Sequence, residues 1–190
     1  MSNSNVIDVF VKVDTVALRA QFPNGLPIHA GREVIDDYFS VLVDSEHHIG
    51  NNGIRCAVGD IINFRSLPRT NTNNSVIINE FSDRNGSLVN DPTQLTDYIA
   101  PPAFKTSIRR GTSYNNRAFP SPSQWNGWEL WMAPLAIGEH DVEDSFMSLS
   151  AVKSTLELES GCITYTLGFN VTYADGVNLN FYFDPTIEIT

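Results

Sequence analysis

Cysteine, methionine and charge are all scarce in this chain. Among 190 residues there are two cysteines, Cys56 and Cys162, three methionines, and only 18% charged side chains. Two cysteines so far apart in sequence do not make the multi-bridge framework of small secreted domains, so both are expected as buried thiols in a reducing compartment. No apolar run approaches the roughly 20 residues needed to cross a bilayer. The start, MSNSNVIDVFVKVD, has neither a basic leader nor an apolar stretch ending in small residues, so no secretion signal is read and a cytoplasmic, membrane-free location is expected. The glycosylation-type triplets at Asn73, Asn85 and Asn170 are then fortuitous.

Basic residues are scarce as well, with 12 against 22 acidic ones and a formal net charge of −10. Such a surface repels phosphate backbones and anionic lipid, which argues against nucleic acid as a partner. The densest cations, Lys105, Arg109, Arg110 and Arg117 with Tyr114 among them, fall in a Ser/Asn-rich stretch and read as solvated decoration.

Catalytic signatures are missing too. The chain has no Gly-x-Ser-x-Gly elbow and no glycine-rich phosphate loop, so no catalytic residue and no cofactor is assigned. His47 and His48 are adjacent, and on an extended backbone neighbours point to opposite sides, which spoils joint metal ligation. The acidic group EHDVED, Glu139 to Asp144, matches no calcium-loop spacing and reads as a solvated turn, so no metal site is assigned. A pairing of Cys56 with a base such as His29 would depend on the fold alone.

What the sequence does contain is period-two alternation. Ile7, Val9, Val11 and Val13 alternate with Asp8, Lys12 and Asp14 to the other side, which predicts a strand with one buried face. Phe22 to Pro27, FPNGLP, ends any regular element there. DYFSVLVDS predicts a second strand with Phe39, Val41 and Val43 on one side. Gly59-Asp60 predicts a turn or bulge between two short strands, because glycine accepts backbone angles that other residues resist. Val76 to Phe81 predicts a further strand, Asn85-Gly86 a hairpin turn, and Asp91-Pro92 the start of a short helix broken by Pro101 and Pro102.

Residues 101 to 127 are rich in Pro, Ser, Asn and Arg and read as a long loop. The stretch from Val142 to Leu149 is open to a helix. Val152, Leu156 and Leu158 alternate with polar residues as another strand. The end is the most regular part. Ile163, Tyr165, Leu167, Phe169, Val171 and Tyr173 form one apolar side, Asp175-Gly176 turns the chain, and Val177, Leu179, Phe181 and Phe183 return. The Thr/Asn side of these strands is left for water or a partner chain, and Asp184-Pro185 separates them from a short edge strand carrying Ile187 and Ile189.

Together these elements predict an all-β fold over residues 1 to 190: a single-domain antiparallel β-sandwich with two sheets, jelly-roll-like or immunoglobulin-like, one or two short helices, and a long loop around 101 to 127. Trp125, Trp128 and Trp131, three apart, with Tyr114, are the candidate ligand-binding residues, since exposed aromatic rings beside a polar loop can take a sugar face or another subunit. On one continuous strand Trp125 and Trp131 would share a side.

The succession of VIDVFVKVDTVAL, FPN, VGDIINFRSLPRTNTNNSVIINEF and YTLGFNVTYADGVNLNFYFDPTIEI resembles, over nearly the whole chain, the bacterial AidA/PixA family of inclusion body proteins. The resemblance implies a non-enzymatic cytoplasmic protein, made under stationary-phase, quorum-sensing or host-associated conditions, that self-assembles into intracellular inclusions. It carries no ligand or catalytic residue across. Two functions are therefore expected from the sequence: a self-associating homo-oligomer whose partner is itself, and, as the alternative, a lectin-like module for a carbohydrate or small apolar molecule.

Overall fold

A computed structural model of the chain describes residues 4–25, 36–50, 52–70, 73–82, 97–100, 102–108, 115–118, 123–125, 128–132 and 142–190. Nearly all of its regular structure is strand. In chain order the elements are β1 (Val6–Val13), α1 (Thr15–Gln21), β2 (Phe39–Leu42), β3 (His48–Ile49), β4 (Gly53–Cys56), β5 (Ile61–Pro68), β6 (Ser75–Ser82) and β7 (Ala103–Ile108). They continue with β8 (Asn115–Ala118), β9 (Ser123–Trp125), β10 (Trp128–Met132), β11 (Val142–Ser150), β12 (Ile163–Thr164), β13 (Thr166–Thr172), β14 (Asn178–Phe183) and β15 (Thr186–Ile189). A 3-10 turn, Asp36–Tyr38, precedes β2.

The strands form three sheets. One has six strands in the order β2-β1-β5-β11-β7-β8, the second five in the order β14-β13-β6-β10-β9, and the third four in the order β12-β15-β4-β3. The first two face each other through aromatic side chains. Phe39 of β2 lies stacked on Phe183 of β14 at 4.9 Å between ring centroids and tilted against Phe169 of β13 at 5.1 Å. Phe64 of β5 meets Tyr165, just before β13, edge-on at 5.8 Å, and Tyr165 also packs on Phe81 of β6. Taking a ring of this size out of water contributes about 1.5–3 kcal/mol, and offset or edge-on geometry adds to it. The third sheet supplies Ile54, Ile163, Ile187 and Ile189 to the same buried cluster.

Alternation decides which side of each strand is buried. In β1, Ile7, Val9, Val11 and Val13 are buried, as expected, and Val9, Val11 and Val13 have no exposed surface. The C-terminal side Ile163, Tyr165, Leu167, Phe169, Val171 and Tyr173 is likewise wholly buried. The turn at Gly59 is present, with φ of 97°, a value glycine adopts without strain, and Gly176 turns β13 into β14 with φ of 83°. The opposite side of β13 and β14 closes on itself: Thr172 Oγ1 donates to Asn178 Oδ1 at 2.5 Å, and Asn170 Nδ2 to Asn180 Oδ1 at 3.1 Å.

Several expectations need correction. Two pairings are parallel rather than antiparallel, β1 with β5 over Val6↔Ile61 to Val13↔Pro68, and β15 with β4. A third sheet joins the expected two. It arises because the bend at Asp184-Pro185 takes β15 away from β14 and sets it between β12 and β4, so β15 is interior and not an edge strand. Residues 101 to 127, read as a long loop, carry β7, β8 and β9. These lie toward the ends of their sheets, where backbone pairing holds a strand such as NNRA without any apolar alternation.

Residues 142 to 149 are strand, not helix. Val152 and Leu156, expected on a strand, lie outside any strand and are exposed, Leu156 by 62%. The buried residue there is Thr155. Its hydroxyl donates to the Gly161 carbonyl at 2.7 Å and accepts from the Ile189 amide at 2.9 Å, and these bonds fold the segment over the end of β15. Val177 is exposed in the hairpin rather than buried with Leu179. The segment 15–21, unassigned in the sequence, is helix α1: Asp14 caps it by accepting from the Ala17 amide at 3.0 Å, and only Thr15 and Leu18 are buried. The Asn85-Gly86 hairpin and the helix start at Asp91-Pro92 lie outside the described residues.

Candidate functional surface

The aromatic candidates are divided by the fold. Trp125 ends β9 and Trp128 begins β10, and the two are direct register partners across that antiparallel pair. Asn126-Gly127 between them has the composition of a two-residue hairpin. Trp131 lies further along β10, opposite Phe81 of β6. The expected single strand carrying Trp125 and Trp131 is thus two antiparallel strands, with Trp125 and Trp128 as register partners. Tyr114 lies outside the described residues.

Among the described residues the polar candidates lie on separate elements. His48 belongs to β3, opposite Ile54, while His47 precedes it and is held by Asp44. Asp44 Oδ1 accepts from the His47 amide at 3.2 Å and contacts His47 Nδ1 at 2.5 Å. Asp44, Glu46 and His47 place ligand-type atoms within 4.8 Å of one another on an exposed turn. The bonds within the group describe a side-chain-capped turn. Of the acidic stretch, residues 139–141 lie outside the described residues, and Val142 to Asp144 belong to β11, whose register against β7 shifts there.

Cys56 is buried at the end of β4 and Cys162 half-buried before β12, and neither is bridged. Burial, and then the Asp60 carboxylate, push the Cys56 thiol up to about 12. At neutral pH it is a neutral thiol and not a nucleophile. His29 lies outside the described residues.

A cleft of about 240 Å³ opens between the β3–β4 turn and the bend at Asp184-Pro185. Ile49, Asn52 and Gly53 form one wall, and Asp184, Pro185 and Thr186 the other. Gly53 is required where it stands, because a Cβ would come within 2.7 Å of the Ile49 carbonyl oxygen and of Thr186 Oγ1. Asn52 Oδ1 accepts from the Val41 amide at 3.3 Å, and Asp184 Oδ1 accepts from Thr166 Oγ1 at 2.6 Å. The cleft is smaller than the roughly 300–1,000 Å³ of drug-sized sites.

The outer side of the six-stranded sheet brings together residues that are far apart in sequence. Along β1 it carries Asp8, Phe10 and Lys12, and along β5 Ile61, Asn63, Arg65 and Leu67. A cross-strand row runs from Leu42 of β2 through Phe10 and Arg65 to Phe146 of β11, each the register partner of the next. The Arg65 guanidinium lies 4.6 Å from the centroid of the Phe146 ring, a cation–π contact, and 3.9 Å from Asp8 Oδ1. Val6, Leu42 and Leu67 on the same side are 60%, 43% and 40% exposed. The signal available in the sequence was Phe10, an aromatic ring among the charged residues on the even-numbered side of β1.

No protein-family model matches the chain, and none of the curated proteins does. Among solved structures it is similar to the crystal structure of the inclusion body protein PixA from Burkholderia cenocepacia J2315, with a TM-score of 0.56 and 15% sequence identity. The alignment covers 100% of this chain and 97% of that one. At this identity the likeness is one of fold, and it extends from end to end.

Proposed function

We propose that this chain is a non-enzymatic, self-associating protein of the inclusion-body type, acting as a homodimer or larger homo-oligomer. The observation that carries the reading is the likeness of its fold, over its whole length, to an inclusion body protein. Two features support it. The one buried thiol is held neutral, and the outward side of the six-stranded sheet sets exposed Val6, Leu42 and Leu67 and half-buried Phe10 among its charged residues. Apolar residues grouped on one exposed side, rimmed by polar ones, are a recurrent feature of protein–protein contact surfaces. No helix among the described residues is long and apolar enough to cross a membrane. On this reading the protein accumulates in the bacterial cytoplasm under stationary-phase, quorum-sensing or host-associated conditions.

Overproduction in bacterial cells followed by gentle lysis tests the proposal. Particles that dissolve without denaturant into folded, strand-rich protein are expected. A chain that stays in the supernatant as a 21.1 kDa monomer at every expression level would overturn it.

A second reading, a lectin-like site for a carbohydrate or small apolar molecule at Trp125, Trp128, Trp131 and Tyr114, draws support from the register pairing of Trp125 with Trp128. Tryptophan fluorescence titrated with a broad sugar panel checks it, and silence across the panel removes it.

A further inference from the structure

The outward side of β1 reads acid, ring, base. Asp8, Phe10 and Lys12 succeed one another at two-residue intervals, so the two charges stand about 7 Å to either side of the ring at the usual strand rise of ~3.3 Å per residue. Opposite charges placed evenly about a centre make the strand complementary to a reversed copy of itself. When two such surfaces meet with their β1 strands antiparallel, Phe10 packs on Phe10 while Asp8 of each copy faces Lys12 of the other.

We infer that this side of the six-stranded sheet is the surface through which a second copy of the chain docks, about a two-fold axis level with Phe10. The inference rests on the self-association proposed above and assigns it a place. Two copies carrying −10 each repel on average, yet along the outward side of β1 and β5 Lys12 and Arg65 outnumber Asp8. Lys12 has no ion-pair partner among the described residues. Arg65 enters the contact already engaged by the Phe146 ring and by Asp8 of its own chain. The apolar area comes from Val6, Leu42 and Leu67, which are exposed on this same side. A two-fold contact uses one patch twice, so every pair across it occurs twice.

Charge exchange tests the assignment. Lys12→Glu and Asp8→Lys each turn two attractive pairs into repulsive ones. Each single variant is expected to raise the dimer dissociation constant by about tenfold, from two exposed pairs. The double variant D8K/K12E restores the pairing in reverse and should return to near the wild-type value. Dissociation constants come from size-exclusion chromatography with light scattering over a dilution series, with circular dichroism confirming the fold of each variant. If the wild type associates but the single variants associate equally well, or the double variant does not recover, this placement is wrong while self-association stands. A wild type that is monomeric throughout removes both.

Discussion

Arg19 on α1 grips Asp175 in the β13–β14 turn with two hydrogen bonds, Nη1 to Oδ1 at 3.0 Å and Nη2 to Oδ2 at 2.6 Å. The guanidinium also lies 4.6 Å from the centroid of the Tyr173 ring, and Tyr173 Oη donates to the Thr15 carbonyl at 3.0 Å. One short helix is thereby tied to a hairpin from the far end of the sequence.

This pair sets a pH response. The Arg19 hydrogen bonds hold the Asp175 carboxyl below its ordinary value of 3.8. A carboxyl lowered in the folded state contributes stability that is present above the unfolded value and is lost as pH falls through the folded one. In Arg19→Ala the Asp175 carboxyl is expected to titrate close to its ordinary value. Carbon-detected NMR titration of wild type and variant measures the difference, and identical midpoints would show that the pair is not formed.

Cys56 should resist modification while Cys162 reacts. With the Cys56 thiol at about 12 and buried, the thiolate fraction at pH 8 is negligible, and a disulfide-exchange reagent should label one cysteine in the native protein and both after unfolding. The same shift makes the protein less stable in alkali. Cys56 contributes its full stabilisation below the unfolded value near 9 and loses it as pH rises toward 12. Two equally fast labelling phases at pH 8 would contradict the buried placement.

Phe39 joins the two large sheets through Phe169 and Phe183. Phe39→Ala leaves a cavity that neither sheet fills, and an unfolding free energy lower by about 3–5 kcal/mol is expected. Leu42→Ala, three residues along the same strand at an exposed position, should cost under about 0.5 kcal/mol in the monomer. Urea unfolding of both variants gives the comparison, and similar costs would mean that the sheets do not meet at Phe39.

The sequence made the sandwich legible wherever burial is one-sided. Val9, Val11 and Val13, and Leu167, Phe169 and Val171, alternate because one side of their strands packs and the other does not. The polar β8 and the three-residue β9 carry no apolar alternation, so no local pattern marks them as strands. The alternation at Val152 to Leu158 was misleading in the other direction, since Thr155 and not its apolar neighbours is the buried anchor. Parallel pairing of β1 with β5 depends on contacts about 55 residues apart, as between Asn5 and Asp60, and no local pattern announces it. The outward row at Phe10, Arg65 and Phe146 was visible only as single exceptions within three separate strands, and became a surface once the register aligned them.

Sedimentation equilibrium of the wild-type protein over a hundredfold range of loading concentration tests the central claim most directly. The account predicts an average mass that rises with concentration from 21.1 kDa to at least twice that value. A single 21.1 kDa species at every concentration would contradict it.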